Sequence, residues 1–250
     1  MTPVIPKTTE ELDLMRKGAK ILREAHNAVK RHLVPGARLI DLDRIAEEVI
    51  RSHDALPAFK GFQGFPATLC TMVNSEIVHG IPDEREGKSG DISSVDCGVI
   101  YKNLITDAAF TMVVGGDNAH KGRAKFSACV YDALLAGCKA AKAGNTTGDI
   151  GHAIEKVVKK GGYNLVREYT GHGVGRQMHE DPHIFNYGNP GEGSVLLEGM
   201  TICIEPIVSI GNPKNKTLAD DWTVVTLDGK DACQWEHCGV VTSDGLEIFV

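Results

Sequence analysis

The sequence predicts an α/β (α+β) fold in which pairs of helices pack against antiparallel strands. Four segments carry apolar residues at helical spacing, whereas residues 92–114 carry the β-branched and apolar runs of strands. The order of these elements also looks duplicated along the chain. A chain of 250 residues can bury roughly 70–75% of the surface that it exposes when unfolded. One large domain, or two fused halves, therefore needs no disulfide or zinc site for stability.

The first helix pair is predicted from capping residues and periodicity. Thr8 and Glu11 form a capping box before an amphipathic pattern that stops at residues 34–36, Val-Pro-Gly. Asp41 is predicted to cap a second helix, which ends near His53.

Two strands and a second helix pair follow. Residues 92–100 and 110–114 read as a hairpin-like pair of strands, interrupted at residues 101–103. Residues 121–143 then read as a long helix, and Asp149 is predicted to cap the next helix.

The chain shows signs of an internal duplication. A shift of 108 residues places Asp41 on Asp149, and a shift of 109 residues places Asp96 on Glu205. Each half then has one carboxylate within an apolar strand pattern. Two unrelated helix pairs with common caps would explain the same matches. The predicted halves of the single domain, residues 1–250, are residues 8–118 and 119–250.

Composition and charge exclude several classes of protein. The chain has 27 Lys+Arg against 33 Asp+Glu, a net charge of −6, and no basic run that would indicate DNA binding. It has neither an N-terminal signal peptide pattern nor a long apolar segment. Its seven cysteines are scattered without a CxxC pair, which argues against a disulfide framework. We therefore expect a cytoplasmic protein that binds neither DNA nor membranes.

Three short motifs fail on geometry. Residues 80–89 have six residues between their glycines, where a phosphate-binding loop has four. Residues 171–175 lack the third glycine of a dinucleotide-binding motif. Residues 179–183 match HExxH, but Pro182 prevents the helix that this zinc motif requires.

Four carboxylates within apolar strand patterns carry the main chemical signal: Asp96, Asp107, Glu205 and Glu236. A buried ionised carboxylate is costly unless it is paired or binds a metal. Each acid alone would have an ordinary explanation as a cap or turn residue. Together with His172 in a glycine-rich loop, the four acids suit two divalent ions, Co²⁺, Mn²⁺, Fe²⁺ or Zn²⁺. Because such a pair activates water and polarises a carbonyl, the inferred reaction is hydrolysis.

The motifs around these residues resemble those of the type I methionine aminopeptidases, which share the pita-bread fold with prolidases and aminopeptidase P. The resemblance covers residues 8–249. It implies two pseudo-twofold-related halves with a curved antiparallel sheet flanked by helices. It also implies removal of the initiator methionine from nascent chains. The segments that carry it are residues 70–82, 95–101, 171–182, 205–206 and 236–237.

The resemblance implies a metal-ligand set. Asp96 would bind one ion, and Asp107 and Glu236 would bridge both ions. His172 and Glu205 would complete the second ion's ligands. Family members often carry a hydroxyl residue where Ala108 stands, and loss of such a neighbour can weaken metal binding about 10–100-fold.

The resemblance implies catalytic roles as well. Glu205 would be the general base, His179 would stabilise the oxyanion, and His79 would bind the scissile amide. For His79 alone, a turn or core histidine is the alternative.

An apolar pocket for a thioether is implied by six residues: Phe59, Phe62, Phe65, Cys70, Met178 and Trp222. Family members often carry different residues at several of these positions. Ordinary core packing is the alternative explanation for the phenylalanines.

The substrates would be peptides and nascent chains with an N-terminal methionine. We expect a monomer, and residues 213–216, Pro-Lys-Asn-Lys, would either contact ribosomal RNA or form a solvated loop. One rival function is an Xaa-Pro aminopeptidase or dipeptidase of the same fold. The other is a non-catalytic pita-bread binding protein, although all five ligand positions are filled here.

Overall fold

The structure is a computed structural model that describes residues 5–250, within which four α-helices lie in two consecutive pairs. Their bounds are Thr9–His32 (α1), Leu39–Ser52 (α2), Lys121–Ala140 (α3) and Thr147–Gly161 (α4). Short 3₁₀ turns lie at Phe62–Gly64 and Asp117–Ala119. In this described part of the chain, no helix has both the length and the apolar character to cross a membrane.

Antiparallel strands complete the predicted α/β class. Their bounds are Leu56–Pro57 (β1), Leu69–Val73 (β2), Glu76–Val78 (β3), Ile92–Tyr101 (β4), Leu104–Val113 (β5), Asn164–Leu165 (β6), Gly171–Gly173 (β7), Glu180–Ile184 (β8), Thr201–Ile204 (β9), Ile207–Ser209 (β10), Asn215–Thr217 (β11), Val224–Thr226 (β12), Ala232–Gln234 (β13), His237–Val241 (β14) and Leu246–Ile248 (β15). In the first sheet, β4 pairs with β1, β2 and β5. The other three sheets have the orders β13-β10-β6, β11-β12-β3 and β15-β14-β9-β7-β8.

The start of α1 is as predicted. The Thr8 hydroxyl accepts a hydrogen bond from the Glu11 amide at 3.2 Å, and the Glu11 carboxylate accepts one from the Thr8 amide at 2.7 Å. These two bonds satisfy amides that have no partner within the helix.

The predicted caps of α2 and α4 were each wrong by three residues, because the N-caps are Arg38 and Thr146, and Asp41 and Asp149 lie inside the first helical turn. In α2, the first amides are satisfied instead by backbone carbonyls of the segment around Arg85; the Leu39 amide, for example, donates to the Arg85 carbonyl at 3.0 Å. In α4, Asp149 closes a capping box by accepting from the Thr146 amide at 2.8 Å.

The hairpin of β4 and β5 is longer than predicted. Its pairing runs without interruption from Ile92 opposite Val113 to Tyr101 opposite Leu104. The second strand therefore begins at Leu104 rather than at residue 110, and it includes Asp107.

Alternation along the strands separates the core from a polar face. Val95 and Val99 of β4 pack with Leu22 of α1 in one apolar cluster. Ile202 and Ile204 of β9 pack into a second apolar cluster that contains residues of α3 and α4. Because successive strand residues point to opposite faces, the residues between them face away from these helices.

Candidate functional site

A cavity of about 330 Å³ brings together all of the side chains that were predicted to form the site. Its volume is within the range of small-molecule sites. The predicted residues that line it are Phe59, Phe62, Phe65, Cys70, His79, Asp96, Asp107, His172, Met178, His179, Glu205, Trp222 and Glu236.

Strand register places three of the acids on one face. Asp96 lies opposite Ala109 across β4 and β5, and Ala109 forms a β-bridge with Glu236. Asp107 lies two residues before Ala109 on β5. Directly paired residues, and residues two apart on a strand, share a face of an antiparallel sheet. The carboxylates of Asp96, Asp107 and Glu236 therefore converge on the cavity.

His172 on β7 and Glu205, directly after β9, join this group from the side of the five-stranded sheet. His172 Nε2 lies 3.8 Å from Glu205 Oε1. His172 Nδ1 lies 2.9 Å from the carbonyl oxygen of Gly173, which can only accept a hydrogen bond. In the neutral ring the proton is therefore on Nδ1, and the Nε2 lone pair faces the carboxylates.

The prediction that Glu205 and Glu236 lie within strands was wrong. Glu205 lies between β9 and β10, and Glu236 lies between β13 and β14. At both points the chain leaves one sheet for another, because β9 and β14 belong to the five-stranded sheet whereas β10 and β13 belong to a three-stranded sheet. Pro206 has no amide hydrogen with which to continue the pairing of β9. Glu205 thus lies where backbone pairing is interrupted, whereas the backbone of Glu236 pairs with Ala109 of β5 in an isolated bridge. Both carboxylates lie beside the cavity.

Hydrogen bonds within residues 5–250 do not satisfy all of the buried carboxylate oxygens of these acids. Among residues 5–250, no hydrogen-bond partner faces the buried oxygens Asp96 Oδ1, Asp107 Oδ1 and Glu236 Oε1. Buried polar atoms without partners are rare in native proteins and call for a ligand, a proton or an ion. Carboxylate oxygens with one imidazole nitrogen are the donors that divalent first-row metal ions bind. The residues present therefore fit a divalent cation.

Burial shifts the pKa values of these groups in opposite directions. Desolvation first, and repulsion by neighbouring carboxylates second, raise the pKa of Asp107, Glu205 and Glu236 well above their ordinary values. Desolvation raises the pKa of Asp96 to about 7. It lowers the pKa of His172 to about 4, so the imidazole is neutral at pH 7 and able to bind a metal.

Two further histidines border the acids. The rings of His179 and His172 contact each other edge to face, with centroids 4.5 Å apart. Desolvation, with the nearby His183 second, lowers the pKa of His179. His79 has a left-handed backbone, with φ of 57°, and its ring contacts Tyr169 edge to face at 5.8 Å.

Part of the cavity wall is apolar. Phe65 and Trp222 contact each other edge to face at 5.1 Å, and Cys70 and Phe59 belong to the same apolar cluster. The predicted pocket residues are thus in one place, although their part in substrate binding stays a prediction.

The sequence interpretation missed two residues beside the predicted ligands, Cys203 and Gln234. The Gln234 side-chain amide donates to Glu205 Oε2 at 3.3 Å. Cys203 offers its sulfur to the same group of ligand atoms as Asp107. Each lies two residues before a predicted ligand, Gln234 before Glu236 and Cys203 before Glu205, so strand alternation was the available signal.

The position of Ala108 changes one expectation about the metal site. Ala108 is buried in the core against α1 and α2, on the face of β5 opposite to Asp107. A hydroxyl at position 108 would therefore point away from the carboxylates. Ala109 is the residue beside Asp107 that faces them.

Known proteins resemble this chain over almost its whole length. The sequence pattern of metallopeptidase family M24 matches residues 13–243. The chain is 44% identical over 246 residues to a methionine aminopeptidase of Clostridium perfringens, with 98% of each chain covered. It is 42% identical over 246 residues to methionine aminopeptidase 1 of Bacillus subtilis, again with 98% of each chain covered. The solved structure of a methionine aminopeptidase from Thermotoga maritima superposes with a TM-score of 0.96 at 39% identity, covering 99% of both chains.

Proposed function

The chain belongs to metallopeptidase family M24, and we propose that it is a methionine aminopeptidase, the activity for which its similar relatives are named. The pita-bread fold expected from the sequence is confirmed by the match to the Thermotoga maritima structure. The observation that carries the proposal is the cluster of buried carboxylates beside apolar side chains, in which three oxygens have no hydrogen-bond partner among residues 5–250. The substrates would be peptides and nascent chains that begin with methionine.

We infer that two divalent ions, Co²⁺, Mn²⁺, Fe²⁺ or Zn²⁺, are the cofactors. The residues that would hold them are Asp96, Asp107, His172, Glu205 and Glu236. When bound, the ions would supply Lewis-acid polarisation and lower the pKa of water.

Glu205 has the surroundings of a general base. Its Oε2 is fixed by Gln234 and its Oε1 lies near His172 Nε2, so both oxygens are oriented. Burial raises the pKa of Glu205 in the metal-free site. A bound cation would favour the ionised carboxylate, which is the form that can accept a proton. Glu205 would accept a proton from the attacking water and pass it to the leaving amine.

The two cavity histidines would act on the scissile peptide. With its pKa lowered, His179 is neutral at pH 7, and its ring N–H can stabilise the negative charge that develops on the carbonyl oxygen. His79, held by its left-handed backbone, would bind the scissile amide.

The apolar part of the cavity wall suits the side chain of methionine. Phe59, Phe65, Cys70 and Trp222 offer aromatic rings and a sulfur atom. Aromatic rings make favourable contacts with a thioether, whereas a charged side chain would lose its hydration there. We propose that this wall, with Phe62 and Met178, selects methionine.

We propose a cytoplasmic monomer that binds no DNA. Residues 213–216 overlap the edge strand β11 and include two lysines, and we propose them as a point of contact with ribosomal RNA.

The test is hydrolysis of Met-Ala-Ser before chelation, after chelation, and after re-addition of each of the four candidate ions. We expect chelation to abolish release of methionine and at least one ion to restore it.

His179→Ala should lower kcat about 10²–10³-fold, because it removes a donor to the developing oxyanion. His152→Ala is the matched control, since His152 is exposed on α4 outside the cavity.

Three outcomes would contradict the proposal. Preference for Xaa-Pro-Xaa peptides over Met-Ala-Ser would favour an Xaa-Pro peptidase of the same fold. Hydrolysis that is indifferent to chelation would exclude a metal-dependent reaction, and metal binding without hydrolysis of any peptide would favour a binding protein.

A further inference from the structure

Cys203 lies in the row of side chains that faces the carboxylates. It is on β9, directly opposite His172 on β7, and it lies two residues before Glu205. Paired residues, and residues two apart on a strand, share a face of the sheet. The thiol therefore faces the same space as His172 and Glu205, and it is fully buried there.

The sulfur lies within the reach of a single ion. One ligand atom each from Asp107, His172, Cys203 and Glu236 lie within 4.8 Å of one another. Metal–donor distances are about 2.0–2.3 Å, so donors on opposite sides of an ion are up to about 4.6 Å apart. The four atoms thus lie within a span only slightly wider than that of ligands around one cation, and two of these residues have a buried oxygen without a hydrogen-bond partner among residues 5–250.

We propose that Cys203 is a metal ligand, which binds the same ion as Asp107, His172 and Glu236. This inference rests on the proposed divalent metal site and names the class of ion that the site takes. On binding, the S–H bond breaks, a sulfur–metal bond forms, and the proton leaves to solvent. A thiolate is a soft donor, so it favours Fe²⁺, Co²⁺ or Zn²⁺ over the harder Mn²⁺.

Cys238 provides an internal control. It lies directly opposite Cys203 on β14 and is also fully buried. Its sulfur is not part of the group formed by Asp107, His172 and Glu236. A substitution there changes a neighbouring buried thiol without removing the proposed ligand.

The experiment loads the full-length chain, Cys203→Ser and Cys238→Ser with Co²⁺, measures the bound metal, and records the near-ultraviolet absorption. Sulfur bound to Co²⁺ gives a charge-transfer band, which an oxygen ligand does not give. We expect the band in the original chain and in Cys238→Ser but not in Cys203→Ser. In competition between Co²⁺ and Mn²⁺, the preference for Co²⁺ should fall about 10-fold or more in Cys203→Ser.

A band of equal strength in Cys203→Ser, or no band in the original chain with Co²⁺ bound, would overturn the inference. If Cys203→Ser does not fold, as judged by circular dichroism, Cys203→Ala serves in its place. Hydrolysis of Met-Ala-Ser without the band would refute only the role of Cys203. The band without hydrolysis would refute only the proposed aminopeptidase activity.

Discussion

His26 is a buried titratable residue outside the cavity. It lies on α1, its ring contacts Phe110 edge to face at 5.0 Å, and its Nε2 has no hydrogen-bond partner within residues 5–250. Desolvation, with the neighbouring charge of Lys30 second, lowers its pKa from 6.5 to about 3. The folded protein therefore keeps this ring neutral at pH values at which the unfolded chain protonates it.

We expect His26 to make the folded state less stable in acid. Below pH 6.5 the unfolded chain gains a proton that the folded chain takes up only near pH 3, so the free energy of unfolding falls as the pH decreases. Between pH 7.5 and pH 5 this loss is about 2 kcal/mol. Urea unfolding of His26→Phe, with chelator present, should show a pH dependence that is shallower by this amount.

His152→Gln is the control for His26→Phe, because His152 is an exposed histidine on α4. The same pH dependence in His26→Phe and in the unchanged chain would refute the assignment to His26.

At the scale of single residues, the sequence identifies side chains whose chemistry is unusual for their surroundings. Asp96, Asp107 and His172 were predicted because ionisable groups stand out in apolar strands and glycine-rich loops. Cys203 was not, because a cysteine in an apolar strand looks like an ordinary small core residue. Gln234 was missed because only the fold shows that its amide reaches Glu205.

The turn between β4 and β5 is the element with the clearest backbone strain. Lys102 and Asn103 both have left-handed conformations, with φ of 50° and 65°. Two positive φ values are typical of a type I′ turn, which Asn-Gly forms most readily. A lysine in this conformation costs about 1–2 kcal/mol, because its Cβ crowds the following carbonyl.

We expect the double substitution Lys102→Asn with Asn103→Gly to stabilise the protein by about 1 kcal/mol. The gain would be measured by urea unfolding, and hydrolysis of Met-Ala-Ser should not change, because the turn does not line the cavity. Replacing both residues by alanine keeps the Cβ atoms and should lower stability instead. Equal stability in the two double variants would contradict the assigned strain.

At the scale of elements, periodicity predicted the helices better than it predicted their first residues. The first turn of α2 is anchored by the carbonyl of Arg85, a contact between distant residues that no local pattern reveals. For the same reason, the apolar runs around Glu205 and Glu236 read as continuous strands. The chain changes sheets there, which depends on how the sheets pack.

The internal duplication gains support from the helix bounds, and we propose it on that ground. The first residues of α2 and α4, Leu39 and Thr147, are 147 − 39 = 108 residues apart. The last residues of α1 and α3, His32 and Ala140, are 140 − 32 = 108 residues apart. This is the shift predicted from the sequence.

At the scale of the whole molecule, the two halves of the chain bring their acids into one cavity. Asp96 and Asp107 come from the β4–β5 hairpin, whereas Glu205 and Glu236 come from the connections between β9 and β10 and between β13 and β14. Desolvation raises all four pKa values, and repulsion by neighbouring carboxylates adds to the rise for Asp107, Glu205 and Glu236. Without a cation, the protein at pH 7 therefore carries fewer negative charges than its formal net charge of −6 indicates.

We expect divalent ions to displace these protons when they bind. Carboxylates bind metals in their ionised form, so a cluster that is protonated at pH 7 must release protons to the buffer. The metal-free protein would be titrated calorimetrically in two buffers that differ in ionisation enthalpy. The difference between the two binding enthalpies should correspond to the release of at least about one proton per chain. Because a higher pH removes these protons beforehand, the release should decrease and the apparent affinity should increase from pH 7 to pH 9.

Glu236→Gln should release fewer protons, whereas Glu10→Gln, at an exposed position on α1, should match the unchanged chain. Equal enthalpies in the two buffers at pH 7 would show that the carboxylates are already ionised, and that the cavity holds its four charges without an ion.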